Sequence, residues 1–256
     1  MIRARPHPRF LLAFLACLSS GMASAEMSET IQQVKPSVVV VGTYKKTDSP
    51  QFAMRGTGFV IGGGNLIATN AHVVPDSSDP DAPALVILSR NASGATQVRP
   101  AHVVNKDREH DLALLRIDGP ALPSLKLRNS ESVREGQLVG FTGFPIGGAL
   151  GFSPVTHRGM VSSITPIALP VANARQVNEK LVRQLKHGPF NIFQLDATAY
   201  PGNSGSPVFD ASSGEVIGII NMVFIKGSKE AALSQPSGIT YAIPSNYLKD
   251  LLLKSP

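Results

Sequence analysis

The stretch PGNSGSPVFD, Pro201 to Asp210, sets a serine between two glycines inside an otherwise strand-like region. A hydroxyl in a sharp turn becomes a nucleophile when a neutral histidine takes its proton and a carboxylate fixes that histidine's tautomer. Gly-Asn-Ser-Gly alone is ordinary loop chemistry, so partners for Ser204 must come from elsewhere. Five histidines follow residue 25. His72 ends the run LIATNA and precedes two valines, where a strand end presents a side chain rigidly. His102 alternates within a strand and reads as a face residue. His110 lies among Lys106, Asp107, Arg108 and Glu109, as in a solvated loop, and His157 and His187 have no apolar setting to fix them. Residue type alone gives His72 little weight. The carboxylates are more selective. Asp111 runs directly into LALLRI, where burial is costly without a partner, and an imidazole N–H would serve. Asp118 reads as a turn residue before Gly119-Pro120, and Asp196, eight residues before Ser204, is the second candidate.

The elements that must position these residues read as short β runs. Six precede residue 118: 37–42, 56–62, 66–70, 84–89, 98–104 and 112–117. Six more follow: 137–144, 153–164, 190–197, 207–210, 215–224 and 238–243. Turn residues separate them throughout, as in an all-β barrel or sandwich. Two sets of about a hundred residues each predict two similar packed barrels, about 37–118 and 137–243, with polar 118–136 as the connector. Three stretches break the pattern. Met27 to Lys35 predicts a short helix stopped by Pro36, and 245–254 a terminal helix with Tyr247, Leu248, Leu251 and Leu252 on one stripe. Between Ala172 and Lys186, Val177, Leu181 and Leu185 recur at helical spacing opposite charged residues. That is an amphipathic helix inserted in the second barrel, either lying on the barrel or acting as a lid or contact near the cleft.

Residues 1–25 read as a cleaved signal peptide. Arg3, Arg5 and Arg9 form a positive head, FLLAFLACL is an apolar core about half the length of a spanning helix, and Ala23-Ser24-Ala25 is a small-x-small cleavage site. An exported, periplasmic or secreted chain over 26–256 follows, with no stable membrane insertion after cleavage. It holds no cysteine, since Cys17 lies in the leader, so its core alone must hold it. Without the leader the net charge falls from +6 to +3, with 21 basic and 18 acidic residues left. No basic block of the kind nucleic acid requires is present. No metal is expected, because no His, Cys and Asp cluster has ligand spacing. No cofactor is expected either: GTGFVIGGGN lies between strands with no helix after it, so its glycines read as barrel bends.

TNAHVV around His72, DLALLRI from Asp111 and GNSGSP around Ser204 stand in the order His, Asp, Ser. With them the whole segment 26–256 resembles the trypsin-like serine peptidases of the chymotrypsin double-barrel fold, nearest to bacterial HtrA/Deg-type proteases and related glutamyl endopeptidases. The resemblance implies that His72, Asp111 and Ser204 converge between the barrels as base, orienting acid and nucleophile. It also makes the backbone N–H groups of Gly202 and Ser204 an oxyanion hole. Asn203 replaces the aspartate that digestive members pair with a freed N-terminus, which argues against activation by that route. Ser206 departs from the family's usual glycine. HtrA/Deg chains usually carry a PDZ domain after the protease domain, whereas only 52 residues follow Ser204. The second barrel and terminal helix use them, so no PDZ domain is expected.

In this family the pocket floor stands six residues before the serine. Here it is Thr198, so the acid that attracts Lys or Arg is absent. Ala199 replaces the threonine of glutamyl endopeptidases, and Gly218-Ile219-Ile220-Asn221 lacks their recognition histidine. The other wall candidates, Ile220, Met222, Val223 and Phe224, are apolar. The resemblance therefore predicts cleavage of protein or peptide substrates after small or medium aliphatic residues. Two alternatives remain at this point, a catalytically silent binding protein on a protease fold and a chaperone-like factor that also degrades. The residues set no oligomeric state.

Overall fold

The computed structural model describes residues 22–76, 79, 81–90, 94–146, 151–166, 190–221 and 238–255. The helix expected at 172–186 lies outside these residues, as do His187, Met222, Val223, Phe224 and residues 1–21 of the expected leader.

Each of the twelve apolar runs forms a strand. The first six are β1 (Val38–Tyr44), β2 (Phe52–Ile61), β3 (Leu66–Asn70), β4 (Ala84–Arg90), β5 (Thr96–Asp107) and β6 (Leu112–Ile117). The second six are β7 (Leu138–Gly143), β8 (Val155–Pro166), β9 (Asn191–Asp196), β10 (Pro207–Asp210), β11 (Val216–Ile220) and β12 (Ile239–Pro244). They close into two six-stranded antiparallel barrels, ordered β1-β2-β3-β6-β5-β4 and β7-β8-β9-β12-β11-β10. Each half thus repeats one topology. The β1–β4 and β7–β10 pairings remove the open edges.

The valine run 38–41 is buried residue by residue because both faces of β1 are covered. Val39 and Val41 point into the first barrel with Val60, Ile67, Ile87 and Leu115. Val38 and Val40 instead join a cluster between the barrels with Phe59, Leu112, Leu114, Phe209, Val216 and Ile243. Phe141, Val161, Phe193, Leu195, Val208 and Ile217 fill the second barrel.

Two helices flank the barrels. α1 spans Met22–Val34, so it begins five residues before the expected start. Alanine favours helix strongly, and the backbone of Ala23-Ser24-Ala25 continues the helix across the expected cleavage point. Val34 anchors α1 in the inter-barrel cluster, before a 3-10 turn over Lys35–Ser37 containing Pro36. α2 spans Ser245–Leu253 and places Leu248 and Leu251 in the same cluster. No helix among the described residues is long and apolar enough to cross a membrane.

The strand that follows the Ser204 loop is pinned at its far end. Asp210 Oδ1 accepts from the Ser212 hydroxyl at 2.6 Å and from the Ser212 and Ser213 N–H groups at 3.0 and 2.9 Å. Its Oδ2 accepts from Gln137 at 2.6 Å and Arg128 at 3.3 Å. Burial pushes this carboxyl up, but the hydrogen bonds from Ser212, Ser213 and Gln137 more than offset it and hold it down at about 2. Because the folded value lies below the ordinary 3.8, the stability it contributes is present above that pH and lost as pH falls through about 2. Wild-type protein should therefore lose melting temperature across that window, while Asp210→Asn starts lower and loses less. Differential scanning calorimetry at stepped pH reads the difference, and parallel curves would contradict it.

Candidate active site

β3 leads into a 3-10 turn over Ala71–Val73, and that turn carries His72. Asp111 accepts five hydrogen bonds, four of them from the turn and its N-cap residue Asn70. Its carbonyl accepts from the Ala71 N–H at 3.0 Å and the Asn70 amide at 3.1 Å. Its carboxylate accepts from the His72 N–H at 2.9 Å, His72 Nδ1 at 2.6 Å and the Asn221 amide at 2.8 Å. A carboxylate only accepts, so Nδ1 carries the proton and Nε2 is left as the ring's acceptor. Asp111 is only 6% exposed and its backbone is left-handed, with φ 55°. Such a conformation costs an L-residue about 1–2 kcal/mol, and the five bonds determine it. The rival acid, Asp196, is exposed at the end of β9.

The serine loop enters from the second barrel. Gly202 and Gly205 have φ of 103° and 86°, which favours glycine. A Cβ on Gly202 would overlap the Phe144 carbonyl, and one on Gly205 the Thr57 carbonyl. Thr57 of β2 ties the loop to the first barrel: its N–H donates to the Ser204 carbonyl at 2.8 Å and its hydroxyl to the Gly202 carbonyl at 2.7 Å. The same hydroxyl accepts from the Phe144 N–H at 3.1 Å. Next to Thr57, a Cβ on Gly56 would lie 2.7 Å from Val73 and 2.9 Å from the Ser204 carbonyl. One glycine's width thus separates the residue after His72 from Ser204. The N–H groups of Gly202 and Ser204 donate to no acceptor among the described residues, although Asn203, Gly205 and Ser206 all donate. Gly202 and Ser204 therefore keep unspent N–H donors among the described residues, while the backbone N–H groups of Asn203, Gly205 and Ser206 are committed.

The pocket candidates are less open than their residue types imply. Thr198 is half-buried, while Ala199 and Ile220 are 5% and 0% exposed and belong to the apolar cluster of the second barrel. The Ala199 N–H donates to the Thr240 hydroxyl at 3.0 Å.

Three residues escape the reading from sequence. Asn221, fully buried at the end of β11, binds Asp111 across the barrel boundary. Its signal is the one that marks Asp111, a polar residue directly abutting a wholly apolar strand. His157 does have an apolar setting: its ring stacks on Phe141 at 4.8 Å and lies 6.2 Å from Tyr200. Burial pushes its imidazole below the ordinary 6.5. His110 is no solvated loop residue either, since it stacks on Tyr247 at 4.1 Å and pairs with Asp107 at 2.6 Å. Tyr247 comes from α2, which the loop sequence does not announce. His102, as expected, is an exposed face residue of β5.

A double antiparallel barrel with a carboxylate-held histidine and a serine in a glycine turn defines a trypsin-like architecture. The chain matches the trypsin-like peptidase domain over residues 56–219, and it belongs to that family. It is 34% identical over 196 residues to a probable periplasmic serine endoprotease DegP-like of Pseudomonas fluorescens, covering 77% of this chain and 34% of that protein. It is 32% identical over 203 residues to the mitochondrial serine protease HTRA2 of Drosophila pseudoobscura pseudoobscura, covering 79% and 39%. The chain therefore spans little more than a third of the length of these curated relatives. Among solved structures, the HtrA-type protease AlgW with tripeptide superposes with a TM-score of 0.62 at 25% identity, over 89% of this chain and 62% of that one.

Asn221→Ala should lower unfolding free energy by about 1–3 kcal/mol, because it leaves a buried carboxylate oxygen one donor short. Chemical denaturation measures this, and an unchanged midpoint would show that the amide does not support Asp111.

Proposed function

We propose that this chain is an exported serine endopeptidase that cleaves peptide bonds through an acyl-enzyme on Ser204. The observation that carries the reading is the His72 imidazole, fixed by Asp111 with its Nδ1 proton committed, together with a serine loop in which the Gly202 and Ser204 N–H groups donate to no acceptor among the described residues. In the first step Ser204 Oγ attacks the scissile carbonyl carbon and its proton passes to His72 Nε2. Asp111 holds the ring and stabilises the imidazolium. The Gly202 and Ser204 N–H groups receive the oxyanion, an interaction worth on the order of 3 kcal/mol per donor in the transition state. Collapse breaks the C–N bond, and His72 returns the proton to the leaving amine. Water then attacks the ester with His72 again as base, which releases the acid and restores Ser204.

Proteins or peptides are the substrates in this reading, as the tripeptide bound to AlgW supports. Export is supported by the residue pattern of 1–25 and by relatives named periplasmic. The uncharged inventory Thr198, Ala199, Ile220, Met222 and Val223 supports cleavage after small or medium aliphatic residues. A catalytically silent scaffold has less to recommend it, because every group the chemistry needs is present.

Fluorophosphonate should label the wild type and leave Ser204→Ala unlabelled at an unchanged melting temperature. Asp111→Asn should lower kcat by about 10⁴-fold by offering the ring the wrong tautomer. A wild type that resists labelling would sink the proposal. Specificity is read separately from a peptide-library profile, which should favour Ala, Val or Leu before the cut; a profile dominated by Arg, Lys or Glu would overturn that preference alone.

A further inference from the structure

Next to the pair formed by His72 and Asp111 stands a second histidine and carboxylate that the proposed reaction does not use. One residue before Asp111, His110 donates from its backbone N–H to Asp107 Oδ1 at 3.0 Å. Its Nδ1 lies 2.6 Å from Asp107 Oδ2, and since a carboxylate only accepts, Nδ1 is the donor. The Glu109 N–H adds a third bond, to Oδ1 at 2.9 Å. A single carboxylate thereby closes the turn between β5 and β6, accepting from N–H groups two and three residues on. Burial pushes the Asp107 carboxyl up, but the bonds from His110 and Glu109 more than offset it and hold it below the ordinary 3.8.

The His110 ring is also held from outside its own turn. It stacks on Tyr247 of α2, with centroids 4.1 Å apart and planes 17° apart, and meets Phe190 edge-on at 4.8 Å. Phe190 meets Tyr247 edge-on in turn, at 5.5 Å. These are the offset and T-shaped geometries in which aromatic rings attract beyond their buried area. The Asn191 N–H donates to the Tyr247 phenolic oxygen, and Phe190 and Asn191 stand where β9 begins. Leu248, beside Tyr247, is buried in the inter-barrel cluster. A turn of the first barrel, a strand of the second and the terminal helix therefore meet at one imidazole.

The place matters because of the residue that follows. The five bonds that Asp111 accepts act on its carbonyl and carboxylate, and none of them grips the chain before it. Its φ of 55° is the rotation that relates the preceding peptide to the side chain. With that peptide loose, Asp111 could relax to the negative φ an L-residue prefers, which would swing its carboxylate off His72. With His110 clamped, the peptide is a fixed mount. We propose that His110 is a positioning residue for the reaction: its bonds to Asp107 and its stack on Tyr247 hold the turn that keeps the Asp111 carboxylate on His72 Nδ1. The inference rests on the reading of His72, Asp111 and Ser204 as the reacting trio.

Proton NMR of the full chain tests the clamp without turnover, through the low-field His72 Nδ1–H resonance, identified by its loss in His72→Ala. In His110→Ala that proton should exchange with solvent faster, with an unchanged circular dichroism spectrum. The same variant should lower kcat and the rate of fluorophosphonate labelling by about tenfold and leave KM within about twofold, because Asp111 acts on the base and not on the substrate. His110→Phe keeps the stack on Tyr247 and should recover most of the lost rate, which keeps the test open if His110→Ala fails to fold. In an Asp111→Asn background His110→Ala should slow labelling by less than about twofold, since the group it positions is already gone. A residue that merely stabilises the fold would cost the same factor in both backgrounds, and that result would overturn the proposal. So would a His72 proton whose exchange does not change. Faster exchange in a protein that resists labelling would count against the endopeptidase reading and for the clamp.

Discussion

The buried carboxylate of Asp111 is the joint on which the arrangement turns. It belongs to the first barrel, entering β6, and accepts both from His72 at the end of β3 and from Asn221 at the end of β11 in the second barrel. A carboxylate this buried is tolerated only because donors surround it. Those donors come from one strand end of each barrel, so the pair of barrels must be assembled before the site is complete. Its left-handed backbone is the local cost of aiming the carboxylate inward while its carbonyl turns back to Ala71 and Asn70.

Thr57 makes the converse tie, from the first barrel to the serine loop. Its N–H, hydroxyl and carbonyl engage Ser204, Gly202 and Thr69 respectively. The serine is thus held through its carbonyl, while its Oγ and the Gly202 and Ser204 N–H groups form no hydrogen bond among the described residues. Asn203 fits the same logic. It is fully buried, and its side-chain amide has no partner among the described residues. A neutral amide bears such isolation at far lower cost than an aspartate, which would demand a buried cation.

Much of this was legible in the sequence, because apolar runs bounded by turn residues state both strand position and burial. The run 38–41 announces a strand covered on both faces, and the glycines around Ser204 announce positive φ. Asp111 was legible through the conflict between its charge and the apolar strand it enters. Asn221 carried the same conflict but lacks charge, so the signal was fainter. His110 and His157 were misjudged because their surroundings come from residues distant in the chain: Tyr247 stacks on the first, and Phe141 on the second. Periodicity sees neighbours along the chain, whereas a barrel brings together residues that it separates.

The same limit explains why pocket residues are harder to read than reacting ones. Chemistry needs particular side chains in a particular order, so the proposed trio His72, Asp111 and Ser204 is legible from motif order, though not from residue type alone. A pocket needs only space, and space is set by how residues pack. Ala199 and Ile220 have the types of pocket walls, yet both are core residues of the second barrel. They pack with Phe141 and Val161 in that interior, so their part in the proposed preference rests on core packing and not on an open wall.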